Sequence, residues 1–243
     1  MRSRSPHSKP GRALTVAAAA IAVAGIVNCA TYPSSARDGM LGGTLSPASM
    51  RVASRTRATL EEIMSSAPGT YIDRLLADRD STIERWPDHG VNHPLRIWVD
   101  SSATIGGAQA GFPAAVRDAF SEWATTGIPL RFSYATSARD ADIRVRWTDH
   151  LDHKTGSTTW RTDRNGWLIG GEITLATHIS DGHSLDARGM RAIALHEAGH
   201  ALGMSHSVDS HDIMAPLVRV DGLSVPDRNT IKLLYTLPAG HIR

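Results

Sequence analysis

The stretch HEAGHALGMSH, residues 196–206, carries His196, Glu197, His200 and His206 within eleven positions. On a helix, four residues amount to about 400° of rotation, so His196 and His200 leave one face a turn apart. Two imidazoles placed in this way can grip a single zinc ion at about 2.0–2.1 Å. Glu197 adjoins a ligand and points partly toward the same face without having to touch a metal. That suits a general base acting on metal-bound water, whose pKa zinc lowers to about 7. The same acid can return the proton to a leaving amine.

His206 cannot join the other two if the helix continues, because about 1000° of rotation separates it from His196. Gly203 resolves this. A chain break at a residue that tolerates positive φ lets His206 swing back. Three neutral histidines then leave a fourth position open, which marks a catalytic zinc and not a structural one. A proton relay would need no glycine there. A structural zinc would usually take four protein ligands, often cysteines, and Cys29 is the chain's one cysteine.

These residues need a scaffold. SLDARGMRAIALHEAGHALG (184–203) reads as the helix, capped by Ser184 or Asp186 and ended by Gly203. Ala194, Ala198 and Ala201 form a small-residue face that can lie close to a sheet. LRIWVD (95–100), LRFSYA (130–135) and ADIRVRW (141–147) read as strands. Residues 156–177 read as a hairpin with Asn165-Gly166 at its turn. PAAVRDAFSEWATTG (113–127) reads as a helix with Val116, Phe120 and Trp123 toward the core, and VPDRNTIKLLYTLP (225–238) as a last helix between Pro226 and Pro238. That order predicts one sheet with helices packed on it, an α+β or α/β layer.

The rest of the chain divides by composition. Residues 1–12 hold Arg2, Arg4, Lys9 and Arg12 and no acid, and an uncharged apolar stretch follows. Residues 1–30 therefore read as a secretory or lipoprotein signal. Removing its four cations takes the formal charge from +2 to −2, so no strong basic field for nucleic acid is expected. Residues 31–50 are rich in Ser, Gly and Pro and suit a flexible tether. Residues 51–93 hold two short helices, around RTRATLEEIMSSA and TYIDRLLADRDSTIERW, as a pro-segment or as an N-terminal layer on the domain. The compact domain is expected over 94–243.

HExxHxxGxxH followed by a methionine resembles the metzincin metallopeptidases. DIMAP, with Met214 eight residues past His206, matches their methionine turn, and Ser207 and the Asp-x-Met-x-Pro pattern are similar to the matrixin branch. ADIRVRW and LSVPDRNTIKLLY also resemble matrixin elements, so the likeness spans 94–238. It implies an α+β, zincin-like fold, with one twisted, mostly parallel sheet and an antiparallel edge strand packed on the active-site helix. It implies one catalytic zinc on His196, His200 and His206, Glu197 as base, Met214 as an apolar floor, and a substrate pocket partly walled by Pro216, Leu217 and Val218. IVNCAT around Cys29 resembles a lipoprotein signal, with Asn28 where that family prefers a small residue. Cys29 is then either lipidated or an incidental thiol in an ordinary signal peptide.

Two departures from the matrixin pattern, and the absence of an astacin feature, shape expectations. Cys29 has no context for a cysteine switch. Ala215 replaces the tyrosine that astacins carry after the methionine. His150, Asp152, His153, His178 and His183 miss the spacing of the second zinc and calcium sites of animal matrixins, so neither ion is expected. The resulting expectation is an exported, monomeric zinc metalloendopeptidase acting on proteins or peptides, extracellular or held in the cell envelope. A non-cleaving binding protein on a metzincin scaffold, or hydrolysis of a non-peptide amide or ester, stands as the alternative.

Overall fold

The structure is a computed structural model that describes residues 60–101, 106–179 and 182–242. The expected signal and tether, with Cys29, lie outside the described residues. Two short helices open the described chain, α1 (Leu60–Ser65) and α2 (Ile72–Asp78), followed by β1 (Thr82–Ile83). β2 (Leu95–Val99), α3 (Phe112–Ala124), β3 (Phe132–Tyr134) and β4 (Ile143–Thr148) come next. The hairpin β5 (Gly156–Thr162) and β6 (Leu168–Ala176) leads to the histidine helix α4 (Ala187–Ala201), then α5 (Val225–Thr236) and β7 (Gly240–His241).

Five strands form the main sheet in the order β3-β2-β4-β6-β5. β2 runs parallel to β3 and β4, β4 runs parallel to β6, and β5 pairs antiparallel with β6 from Gly156↔Leu175 to Thr162↔Leu168. The expected mostly parallel sheet with an antiparallel edge strand is therefore present. Alternation sets its faces: Ile143, Val145 and Trp147 of β4 are buried while Arg146 is exposed. α4 packs on β5, β6 and α3. Ala194, Ala198 and Ala201 are buried, as the close approach of a helix to a sheet requires. Phe120 and Trp123 of α3 join the core, and the Trp123 indole N–H donates to the Leu195 carbonyl at 2.9 Å, tying α3 to α4.

The N-terminal layer differs from its sequence reading in one element. The second helix stops at Asp78 instead of running toward Trp86, because Asp80 and Ser81 both take left-handed φ, 47° and 55°. Two successive residues of that kind cannot continue a right-handed helix. The chain then pairs β1 antiparallel with β7. Ile63, Ile72, Leu75, Ile83 and Trp86 are all buried in the common core. Arg85 donates to the Leu237 carbonyl at 2.8 Å and stacks on Trp167 and Tyr235. Arg79 pairs with Glu84, bonds the Met204 carbonyl at 3.3 Å and lies over Trp160 of β5. The chain from Ile63 onward thus shares one core with the sheet.

Candidate metal centre

α4 begins as expected of an Asp cap: the Asp186 side chain accepts from the Gly189 N–H at 2.7 Å, which resolves the choice between Ser184 and Asp186. It ends in a turn where Gly203 N–H donates to the His200 carbonyl and Met204 N–H to that of Gly199. Gly203 has φ +100°, and a Cβ there would meet the Glu84 carbonyl oxygen at 2.4 Å. Glycine is required on both counts.

The break brings the three rings together. His200 Nε2 lies 3.1 Å from His196 Nε2 and 3.1 Å from His206 Nε2. His196 Nδ1 donates to the Ile213 carbonyl at 2.7 Å, and His200 Nδ1 donates to the Met204 carbonyl at 2.9 Å. These bonds fix the tautomer, so that each inward nitrogen presents a lone pair. Burial is the leading cause that holds all three rings below their ordinary pKa, His196 at about 3, so they stay neutral. Neutral nitrogens facing one another without a shared proton repel. A cation between them removes the conflict. Two nitrogens on a tetrahedral zinc at about 2.0–2.1 Å stand about 3.3 Å apart, close to the observed spacing. The residues fit zinc, and among the described residues this trio is the one group of ligating side chains that converges on a shared point.

Glu197 is buried beside them. Its Oε2 accepts the Thr158 hydroxyl at 2.6 Å. Burial pushes its carboxyl up to about 7, against the opposing pull of the Thr158 hydroxyl and the Lys154 charge.

Met214 reaches α4 at Gly199, where a Cβ would meet the sulfur at 2.3 Å. Gly199 is therefore the notch that admits the methionine, a role its sequence context does not signal. The turn holding Met214 is fastened by two buried carboxylates. Asp212 accepts the hydroxyls of Ser207 and Ser224. Asp227 accepts the Tyr71 phenol at 2.7 Å, the Ile213 N–H at 2.9 Å and the Ser224 N–H at 2.9 Å. One carboxylate thus ties the N-terminal layer to the turn and to the start of α5. Removing it leaves three donors without this acceptor, and the two buried ones, the Tyr71 phenol and the Ile213 N–H, each cost about 1–3 kcal/mol when unpaired. Asp227→Ala is expected to lose at least about 2 kcal/mol of stability in urea unfolding; a loss within experimental error would show that the network does not hold the turn.

The remaining sequence candidates are scattered. Pro216 is exposed, Leu217 half-buried, and Val218 buried in the core cluster. His150 and His178 have ring centroids 5.1 Å apart, and His178 Nδ1 faces the Thr177 hydroxyl at 3.0 Å. Asp152, His153 and His183 are exposed.

The matrixin family model matches residues 99–236. Matrix metalloproteinase-C of Caenorhabditis elegans is 29% identical over 118 residues, 42% of this chain and 19% of that protein. Metalloendoproteinase 1 of Glycine max is 28% identical over 145 residues, 51% of this chain and 45% of that protein. Matrix metalloproteinase-17 of Homo sapiens is 37% identical over 97 residues, 36% of this chain and 16% of that protein. The chain spans less than half the length of these curated relatives.

Proposed function

The chain belongs to the matrixin family, and from that premise we propose that it is a zinc-dependent metalloendopeptidase that hydrolyses internal peptide bonds of proteins. The observation that carries this reading is the convergence of three neutral Nε2 atoms, 3.1 Å from His200 to either neighbour, beside a buried carboxylate. His196, His200 and His206 would hold the ion. When bound, zinc supplies a Lewis acid for the scissile carbonyl and for water.

This chain's own residues do the rest. β5 is the outer strand of the sheet, and its far edge has no strand partner among the described residues. An extended peptide can add there through main-chain hydrogen bonds. The strand begins at Gly156, against Glu197, so a peptide paired along it runs past the base. The Glu197 carboxylate takes a proton from water as the water oxygen bonds to the scissile carbon. It then delivers that proton to the amide nitrogen as the C–N bond breaks, giving a carboxylate and a free amine. Pro216, Leu217 and Val218 would wall part of the pocket for the side chain after the cut.

The catalytic unit in this reading begins near residue 60 and not at 94, since the N-terminal layer supplies core residues and the Tyr71 bond to Asp227. No helix among the described residues is long and apolar enough to cross a membrane. Export would be directed by residues 1–30, and the intact mass of the mature chain distinguishes a lipidated Cys29 from ordinary signal cleavage.

The test is digestion of a proteome-derived peptide library by the zinc-loaded chain, read by mass spectrometry of new termini. Internal cleavages that vanish on chelation and return with added zinc are expected. A chain with stoichiometric zinc that cuts nothing would overturn the reading in favour of a binding protein.

A further inference from the structure

Thr158 lies in β5, opposite Ile173 of β6, and its side chain turns inward to α4. It is 4% exposed. Its hydroxyl oxygen stands 2.6 Å from Glu197 Oε2 and 3.1 Å from the Glu197 carbonyl oxygen. A hydroxyl has one proton, and the shorter contact lies in the range of a charge-assisted O–H···O⁻ bond, about 2.5–2.7 Å. Oε2 is thereby engaged, while Oε1 has no hydrogen-bond partner among the described residues. Two positions earlier on the same strand, Gly156 faces the same carboxylate. A Cβ there would stand 2.4 Å from Oε1 and 2.7 Å from Cδ. The strand therefore holds the carboxylate between a donor on one side and a gap on the other.

Resting on the peptidase reading above, we infer that Thr158 is a positioning residue for Glu197: its hydroxyl engages Oε2 and leaves Oε1 as the atom that exchanges the proton with water, in the space that Gly156 keeps clear. A general base contributes about 10²–10⁴-fold to rate, and a misplacement near 1 Å can forfeit about 10²-fold. A bond between a strand and a helix that fixes one carboxylate oxygen is therefore worth a measurable part of turnover. It also joins the base to the strand on which the substrate would lie, so that the two keep one register.

The experiment compares zinc-loaded wild type, Thr158→Val, Thr158→Ser, Glu197→Gln and the double variant T158V/E197Q, using a peptide cut by the wild type. Valine keeps the volume and removes the donor; serine keeps the donor. T158V should lower kcat by about 10–100-fold with KM within about threefold, and T158S should recover to within about threefold of wild type. In the E197Q background, T158V should cost no further activity. A second readout needs no turnover: in urea unfolding of the zinc-loaded proteins, the losses of T158V and of Glu197→Ala, set against their double variant, should fall short of additive, because each removes the same bond. Wild-type kcat in T158V, a failure of serine to rescue, or the same factor lost again in the E197Q background would overturn the inference. Additive losses in unfolding would overturn it as well. Failure of the wild type itself to cut any peptide would instead remove the peptidase reading, and the unfolding cycle would still report on the Thr158–Glu197 bond. Should T158V fail to fold, the serine variant and the companion Gly156→Ala decide. G156A puts a methyl against Oε1 and should lower kcat by at least about 10-fold with zinc retained; unchanged kcat would overturn the assignment.

Discussion

Glu197→Gln should leave one zinc per chain and lower peptide cleavage by about 10²–10⁴-fold, the range that a positioned general base supplies. The expectation follows from what the substitution keeps and removes. Glutamine fills the same buried space and can still accept the Thr158 hydroxyl through its amide oxygen, so the junction of α4 with β5 survives. The three imidazoles are untouched, and their Nδ1 bonds to Ile213 and Met204 continue to orient His196 and His200. What disappears is the ability to take a proton from water and return it to the departing amine. Initial rates with a fluorogenic peptide, beside zinc analysis of the same sample, check it. A variant that keeps both zinc and wild-type turnover would remove Glu197 from the chemistry.

His200→Ala should abolish tight zinc binding together with activity. His200 is the shared vertex of the cluster, 3.1 Å from each of the other two Nε2 atoms. Tight four-ligand zinc sites store about 10–16 kcal/mol, or about 2.5–4 kcal/mol per ligand, so losing one ligand should weaken affinity by about 10²–10³-fold. The loss should be specific to the metal. Met204 O forfeits one donor and the buried site gains a small cavity, but the sheet and α3 keep their contacts. Competition against a chromophoric chelator gives the affinity, and circular dichroism reports the fold. Zinc bound as tightly as in the wild type would mean that the ion, if any, sits elsewhere.

What could be read from the sequence was governed by distance along the chain. His196 and His200 are related by helix geometry alone, and Gly203 supplies the break that returns His206, so the trio was legible within eleven residues. The methionine turn was legible through the resemblance, because Asp-x-Met-x-Pro follows at a short, fixed interval. The five strands of the main sheet and α3–α5 showed themselves through alternation, helical spacing, prolines and caps, whereas β1 and β7 did not. The partners of those residues did not. Thr158 meets Glu197 across 39 residues, and Tyr71 meets Asp227 across 156. Pairings of that kind are set by sheet order and by how the layers stack, which no local pattern encodes. Gly199 looks like an ordinary helical glycine until Met214 is seen pressed against it. The stop after Asp78 was hidden for another reason: the residues that break the helix are Asp80 and Ser81, and neither announces a left-handed turn as a glycine would.

The N-terminal layer has a consequence for maturation. A pro-segment is removed without damage when it is held by few contacts. Here Ile72 and Leu75 are fully buried, Arg79 braces the Met204 carbonyl next to the α4 terminus, and Trp86 donates its indole N–H to the Ala201 carbonyl at 2.8 Å. Cleavage after residue 93 would remove all of these at once and expose the end of the histidine helix.

Zinc-edge X-ray absorption on the purified chain, with metal stoichiometry from the same sample, tests the centre most directly. One zinc per chain is expected, bound by three imidazole nitrogens at about 2.0–2.1 Å with at least one further oxygen donor from solvent. Loss of one imidazole from that shell should follow His206→Ala. Absence of stoichiometric zinc, or a shell that is unchanged when His206 is removed, would contradict the site.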